Sequence, residues 1–312
     1  MHIAILDDYQ SVALKMADWS LLRNRADVTV FNDHLADEDA LAERLALFDI
    51  VCVMRERTAL PRGLIGRLPK LKLIASTGAI NAAVDVAAAR EHGIEVVYTG
   101  YSSTPTIEMT WALILASQRH LLLEVSAVRS GRWQQTIGGD LHGRTLGLLG
   151  LGNIGSAVAR IGVAFGMRVI GWSQNLTPEK AKAVGAVAVS KEQLLSDSDI
   201  VSIHLLLSRR TRGLIDSNAL AMMKPTAWLI NTSRSAIVDE TTLLDALRLR
   251  RIAGLAIDVF DSEPLPKNHP FRTLENVIAT PHLGYVAESL YRTFYGDTVR
   301  NIVDWLDRRQ ST

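Results

Sequence analysis

The stretch Thr145-Leu146-Gly147-Leu148-Leu149-Gly150-Leu151-Gly152-Asn153-Ile154-Gly155 decides the fold. A short apolar run, TLGLLG (145–150), breaks into Gly150-x-Gly152-x-x-Gly155. Beyond it Ile154, Val158, Ile161 and Phe165 recur at helical spacing, and Gly166 marks a stop. The run MRVIGW (167–172) predicts the next strand at once. Glycines cluster in any tight turn, so the motif gains meaning from the strand, turn, helix and strand that frame it. In that frame Gly150 and Gly152 let the backbone turn and approach a pyrophosphate, and Gly155 lets the helix pack closely. Asn153 and Ile154 open a helix whose free N–H groups and dipole favour phosphate. The motif thus predicts a dinucleotide cofactor.

The end of the second strand carries the usual discriminator between the two nicotinamide dinucleotides. An Asp or Glu there binds the ribose 2′-hydroxyl and repels a 2′-phosphate. This chain has Trp172-Ser173-Gln174-Asn175 instead, with Lys180 downstream. Ser173 and Gln174 can bond a hydroxyl or a phosphate, so NAD and NADP both stand.

Outward from this motif, short β-branched runs alternate with amphipathic stretches, the pattern of parallel sheets flanked by helices. Strands are expected at HIAIL (2–6), DVTVF (27–31), IVCVM (50–54), LKLIAS (71–76) and IEVVYT (94–99). After residue 145 they are expected at TLGLLG, MRVIGW, DIVSIHLL (199–206), AWLIN (227–231), LAIDVF (255–260) and NVIAT (276–280). Asp37 to Leu45 reads as a helix. So does the leucine-rich segment from Thr106 to about Val128, apolar enough to be buried on more than one face, against a second subunit. A last helix is expected over 287–308, with apolar residues at 290, 294, 299, 302, 303 and 306.

The chain has 312 residues, 48% hydrophobic and 21% charged, with a formal net charge of +1. That length favours two α/β units, the second beginning well after residue 100. No basic or acidic block points to nucleic acid or a membrane surface. Cys52 is the single cysteine, set in an apolar strand, which excludes an internal disulfide and suits a reducing compartment. The N-terminus lacks a signal-peptide pattern and no apolar run reaches membrane-spanning length, so a cytoplasmic location is expected. No metal site is expected.

Ligands of an open parallel sheet sit beyond the carboxyl ends of its strands. Three late strands end in candidate chemistry: AWLIN runs into Thr232-Ser233-Arg234, LAIDVF into Asp261-Ser262-Glu263-Pro264, and NVIAT into Pro281-His282. An arginine, a carboxylate and a histidine are what hydride transfer to a 2-oxo acid needs. The imidazolium gives a proton to the developing oxyanion. The carboxylate fixes its tautomer and favours its charge, and the guanidinium grips a substrate carboxylate.

On these residues the chain resembles the D-isomer-specific 2-hydroxyacid dehydrogenase family over nearly its whole length. GLGNIG (150–155), INTSR (230–234), DVFDSEP (258–264) and TPHLG (280–284) carry the resemblance, in the family's order. It implies an α/β fold of two doubly wound parallel-sheet domains. A Rossmann coenzyme domain (101–284) is inserted into a flavodoxin-like substrate domain (1–100 and 285–312). It implies Arg234 as the carboxylate clamp, His282 as acid/base, Glu263 as its partner, and Asp258 at the nicotinamide end of NAD or NADP, with Thr232 also on the cofactor. It further implies that the amides of Gly78 and Ala79 hold the substrate carboxylate, that Arg55 faces the substrate, and that the protein is a homodimer. For Arg55 two readings stand: a contact to a second anionic group, or a solvated basic turn.

Several positions depart from the family pattern. Ser235 follows Arg234 where glycine is usual, Leu206 replaces a proline, Ile80 replaces a second glycine, and Ala82-Ala83 replaces a polar pair. None touches the Arg, Glu and His set; substrate and cofactor preference are what they leave open. The expected activity is interconversion of a small 2-oxo acid and its D-2-hydroxy acid. The alternatives are a dinucleotide-sensing, corepressor-like binding protein of the same fold, and a Rossmann methyltransferase. The methyltransferase lacks a reason for the downstream Arg, Glu and His.

Overall fold

A computed structural model describes residues 1–310 and divides the chain into two compact units, Met1–Ser102 with the segment from Ala287 on, and Ser103–Val286. Residues 311 and 312, which the expected substrate domain includes, lie outside the described residues.

In the first unit five parallel strands, β1 (His2–Ile5), β2 (Asp27–Val30), β3 (Ile50–Val53), β4 (Leu73–Ser76) and β5 (Glu95–Tyr98), lie in the order β2-β1-β3-β4-β5. This is the flavodoxin-like order, with its reversal between β1 and β3. β3 and β4 are buried at every position because helices cover both faces. The helix Glu38–Leu45 begins where Asp37 accepts a hydrogen bond from the Ala40 amide, a side-chain N-cap. The last helix, Glu288–Gln310, buries Leu290, Phe294, Val299, Ile302, Trp305 and Leu306; Val303 is only partly covered. Asn301 Nδ2 donates to the Tyr98 carbonyl and Asp297 accepts from the Gly100 amide, so this helix fastens the end of β5.

In the second unit β6 (Thr145–Leu149), β7 (Arg168–Trp172), β8 (Val187–Ala188), β9 (Ile200–Ile203), β10 (Trp228–Asn231), β11 (Gly254–Ile257) and β12 (Val277–Ala279) form one parallel sheet. Its order is β12-β11-β10-β9-β6-β7-β8, the Rossmann arrangement with one strand added. β8, only two residues long, was too short to predict. The expected strands overran mainly at their carboxyl ends: LAIDVF stops pairing at Ile257 and DIVSIHLL at Ile203. The remaining apolar residues continue into the sheet-edge loops.

Two helix expectations change. The segment from Thr106 is two helices, Thr104–Gln118 and Leu121–Arg129, broken at His120, whose φ of 47° is left-handed. The first buries Trp111, Leu113 and Ile114 together with Thr106, Thr110 and Ser117, whereas the second leaves most of its apolar side chains exposed. In the helix Asn153–Ala164 the expected Val158 is buried, but its companions in the buried stripe are Gly155, Ala159 and Gly162 rather than the larger residues Ile154, Ile161 and Phe165. Small residues let the helix lie close to the sheet, which turns Ile161 outward and sets Phe165 against Trp111, ring centroids 5.0 Å apart.

Candidate active site

The glycine turn leaves β6 at Gly150, whose φ of +103° is a conformation that side chains rarely adopt. Its amide donates to the Trp172 carbonyl, tying the turn to the end of β7. A Cβ at Gly155 would stand 2.0 Å from the Gly150 carbonyl oxygen, so Gly155 is required by the turn itself rather than by the sheet. Gly152 differs, because a Cβ there meets nothing within 4 Å. It caps the twelve-residue helix Asn153–Ala164, and no side chain caps the open N–H groups. Open space over an uncapped helix start fits a pyrophosphate. Behind the turn His204 and Ser202 Oγ share a hydrogen bond of 2.9 Å, and burial holds the imidazole down at about 4, neutral at physiological pH.

Beyond β7, Ser173 is half-buried while Gln174, Asn175 and Lys180 are exposed. Ser173 and Gln174 thus follow the end of β7 directly, with no carboxylate beside them.

β10, β11 and β12 are neighbours, so the loops leaving Asn231, Ile257 and Ala279 emerge side by side. The structure joins two of the expected groups directly: His282 Nδ1 lies 2.7 Å from Glu263 Oε2, both half-buried. The other oxygen, Oε1, accepts from the Phe260 amide at 2.9 Å. Burial alone would raise the Glu263 carboxyl. The hydrogen bond and charge of His282, with help from the Phe260 amide and the Arg234 charge, hold it below its ordinary value instead. Arg234 is near enough for that charge to be felt, and its Nη1 donates to the Ser233 carbonyl. Ser235 opens the short 3₁₀ turn Ser235–Ile237 without a positive φ, so the missing glycine introduces no left-handed strain.

In the turn carrying His282 the left-handed residue is His282 itself, φ 54°, and not Gly284. Asp258, 1% exposed, holds the turn: its Oδ1 accepts from Thr280 Oγ1 (2.6 Å) and the Leu283 amide (2.8 Å), and Oδ2 from the Gly284 amide (2.7 Å). Burial still raises its carboxyl above the ordinary value. Asp258 is thus first an anchor, a role that no spacing in the sequence disclosed.

In the first unit Arg55 is no solvated turn. It has a φ of 50°, its Nη1 reaches the Thr77 carbonyl at 3.3 Å, and its guanidinium lies 5.2 Å from the Tyr101 ring centroid. Gly78 makes room for it, since a Cβ there would stand 1.7 Å from Arg55 Nη1. The Gly78 amide, expected to hold substrate, donates to Thr99 Oγ1 at 2.7 Å; that hydroxyl lies within reach as β5 ends beside β4. Ala79 and Ile80 are exposed. Thr99 and Tyr101 were missed, although the strand-end rule that found His282 applies equally to the end of β5.

A family model described as "D-isomer specific 2-hydroxyacid dehydrogenase, NAD binding domain" matches residues 111–284, more than half of the chain. A glyoxylate reductase from Aeropyrum pernix is 44% identical over 229 residues, 70% of this chain and 68% of that protein. A D-3-phosphoglycerate dehydrogenase from Methanocaldococcus jannaschii is 34% identical over 86% of this chain, but the match spans only 54% of that longer protein. The solved structure of a phosphoglycerate oxidoreductase from Vibrio cholerae superposes with a TM-score of 0.94 at 38% identity, covering 99% of both chains. With the doubly wound sheets and the glycine turn, these likenesses make the chain a member of the D-isomer-specific 2-hydroxyacid dehydrogenase family, NAD(P)-dependent oxidoreductases.

Proposed function

We propose that this protein interconverts a small 2-oxo acid and its D-2-hydroxy acid, with His282, Glu263 and Arg234 as its catalytic residues. The observation that carries the reading is the 2.7 Å contact of His282 Nδ1 with Glu263, which commits one ring nitrogen and leaves Nε2 for a substrate oxygen. The nicotinamide of a bound dinucleotide supplies or accepts the hydride. In reduction His282 gives the Nε2 proton to the carbonyl oxygen as charge develops there, and in oxidation it takes the proton back. Glu263, held ionised by its neighbours, balances the imidazolium. Arg234 presents its fork to the substrate carboxylate.

Gly150, Gly152, Asn153, Ile154 and Gly155 are the proposed phosphate-binding turn, Ser173 and Gln174 the ribose contacts, and Thr232 and Asp258 the groups toward the nicotinamide. Arg55 and Ala79, with Gly78 as spacer, are the substrate-facing groups of the first unit. The exposed apolar side chains of the helix Leu121–Arg129 support a homodimer.

The test is a panel of 2-oxo acids, glyoxylate and hydroxypyruvate among them, with NADH and NADPH side by side. One of them should turn over, and His282→Ala should lose at least a hundredfold in kcat, as expected for a general acid, while still binding NADH by fluorescence. Undiminished turnover in that variant would sink the acid/base assignment. Tight NADH binding with no turnover of any 2-oxo acid would favour a dinucleotide sensor instead.

A further inference from the structure

Thr106 and Thr110 sit one turn apart on the helix Thr104–Gln118 and share a face. Both are buried, Thr110 completely, in a helix whose other inward residues are largely apolar. Their hydroxyls do not merely bond back to their own helix. Thr106 Oγ1 donates to the Gly284 carbonyl at 2.8 Å. Thr110 Oγ1 donates to the Thr106 carbonyl, and a hydroxyl has one proton, so its 2.8 Å contact with Thr232 Oγ1 is one in which Thr232 donates.

Gly284 lies two residues after His282, and Thr232 two residues before Arg234. One helix face therefore grips both loops that carry the proposed chemistry. On the far side the His282 turn is held by the three donors to Asp258. A left-handed residue persists only where its surroundings over-determine it, and Thr106 and Asp258 bracket His282 in this way.

We propose that Thr106 and Thr110 are positioning residues, which lock the His282 turn and the Arg234 loop into one fixed relation through their hydroxyls. This rests on the reading of His282 and Arg234 given above. Loss of the Thr106 hydroxyl frees the Gly284 carbonyl and lets the His282 turn relax away from Glu263. Loss of the Thr110 hydroxyl leaves Thr232 without its acceptor and loosens the loop to Arg234.

Thr106→Val and Thr110→Val keep the shape and remove the hydroxyl, while Thr106→Ser and Thr110→Ser keep the hydroxyl. All four are assayed with the 2-oxo acid turned over fastest in the panel, for kcat, KM, pH profile, NADH affinity and thermal midpoint. Each valine variant should lose at least tenfold in kcat/KM, as kcat for Thr106→Val and largely as KM for Thr110→Val. NADH affinity should stay within twofold in Thr106→Val, and the serine variants should stay within threefold of the parent. In Thr106→Val the acid limb of the profile should move to higher pH, because Glu263 loses the contact that holds its carboxyl down.

Unchanged kinetics in the valine variants would overturn the proposal, and so would serine variants as impaired as the valines. If a valine variant does not fold, alanine against serine at the same position carries the same contrast. His282→Ala in the same assay separates the two readings. An inactive His282→Ala beside unaffected valine variants removes only the positioning role, whereas an active His282→Ala removes the site reading itself.

Discussion

His204 shows at residue scale how a side chain outside the reacting set is tied to pH. It stands behind the glycine turn, where a Cβ at Gly150 would meet its carbonyl oxygen at 2.6 Å, and burial holds its imidazole at about 4 against an ordinary 6.5. The unfolded chain takes up a proton between those values and the folded chain does not. His204 therefore costs no stability above about pH 6.5 and lowers it progressively as pH falls toward 4, by about 3 kcal/mol at most. Between pH 7.5 and 4.5, His204→Asn should lose several degrees less in thermal midpoint than the parent; equal losses would refute the assignment. The same scale marks a limit of sequence reading. His282 and Glu263 could be named because their residue types match a reaction. Asp258 could not be recognised as an anchor, because its three donors come from residues 22 to 26 positions away.

At the scale of elements, the turn and helix Asn153–Ala164 separate what the protein requires of its glycines from what a ligand requires. At Gly155 the requirement is internal, since a side chain would strike the Gly150 carbonyl. At Gly152 no protein atom stands in the way, and its backbone, φ −77° and ψ −159°, suits any residue. Gly152→Val should therefore keep the thermal midpoint within about two degrees of the parent, yet weaken NADH binding at least tenfold by filling the space over the helix N-terminus. Gly155→Val should lower the midpoint strongly. Equal NADH affinity in Gly152→Val and the parent would argue against this turn as the phosphate site. The motif was legible because a strand, a turn and a helix are local in sequence. Of the buried stripe only Val158 was legible, because the small residues Gly155, Ala159 and Gly162 are chosen by the distance to the sheet, a tertiary quantity.

For the molecule as a whole, the helix Leu121–Arg129 exposes Leu121, Val125 and Val128 along one stripe, with Leu122 56% exposed beside it. Contiguous apolar surface of this kind marks an association site, so the chain should run as a dimer in light scattering, and Leu122→Glu with Val125→Glu should make it a monomer. A parent that is already monomeric at micromolar concentration would end that reading. No helix among the described residues is long and apolar enough to cross a membrane. By itself the sequence determined the two doubly wound sheets, the glycine turn and the family, and it named Arg234, Glu263 and His282 as the candidate set. Each of these is written in short windows, as period, turn chemistry or residue type. Only the tertiary structure decided the break at His120, the engagement of the Gly78 amide by Thr99, the enclosure of Arg55, and the hydrogen bonds of Thr106, Thr110 and Asp258 to the loops at Thr232 and His282. Those depend on which distant strand ends become neighbours in the sheet, and a hydrogen bond across that distance leaves no periodic trace in the chain.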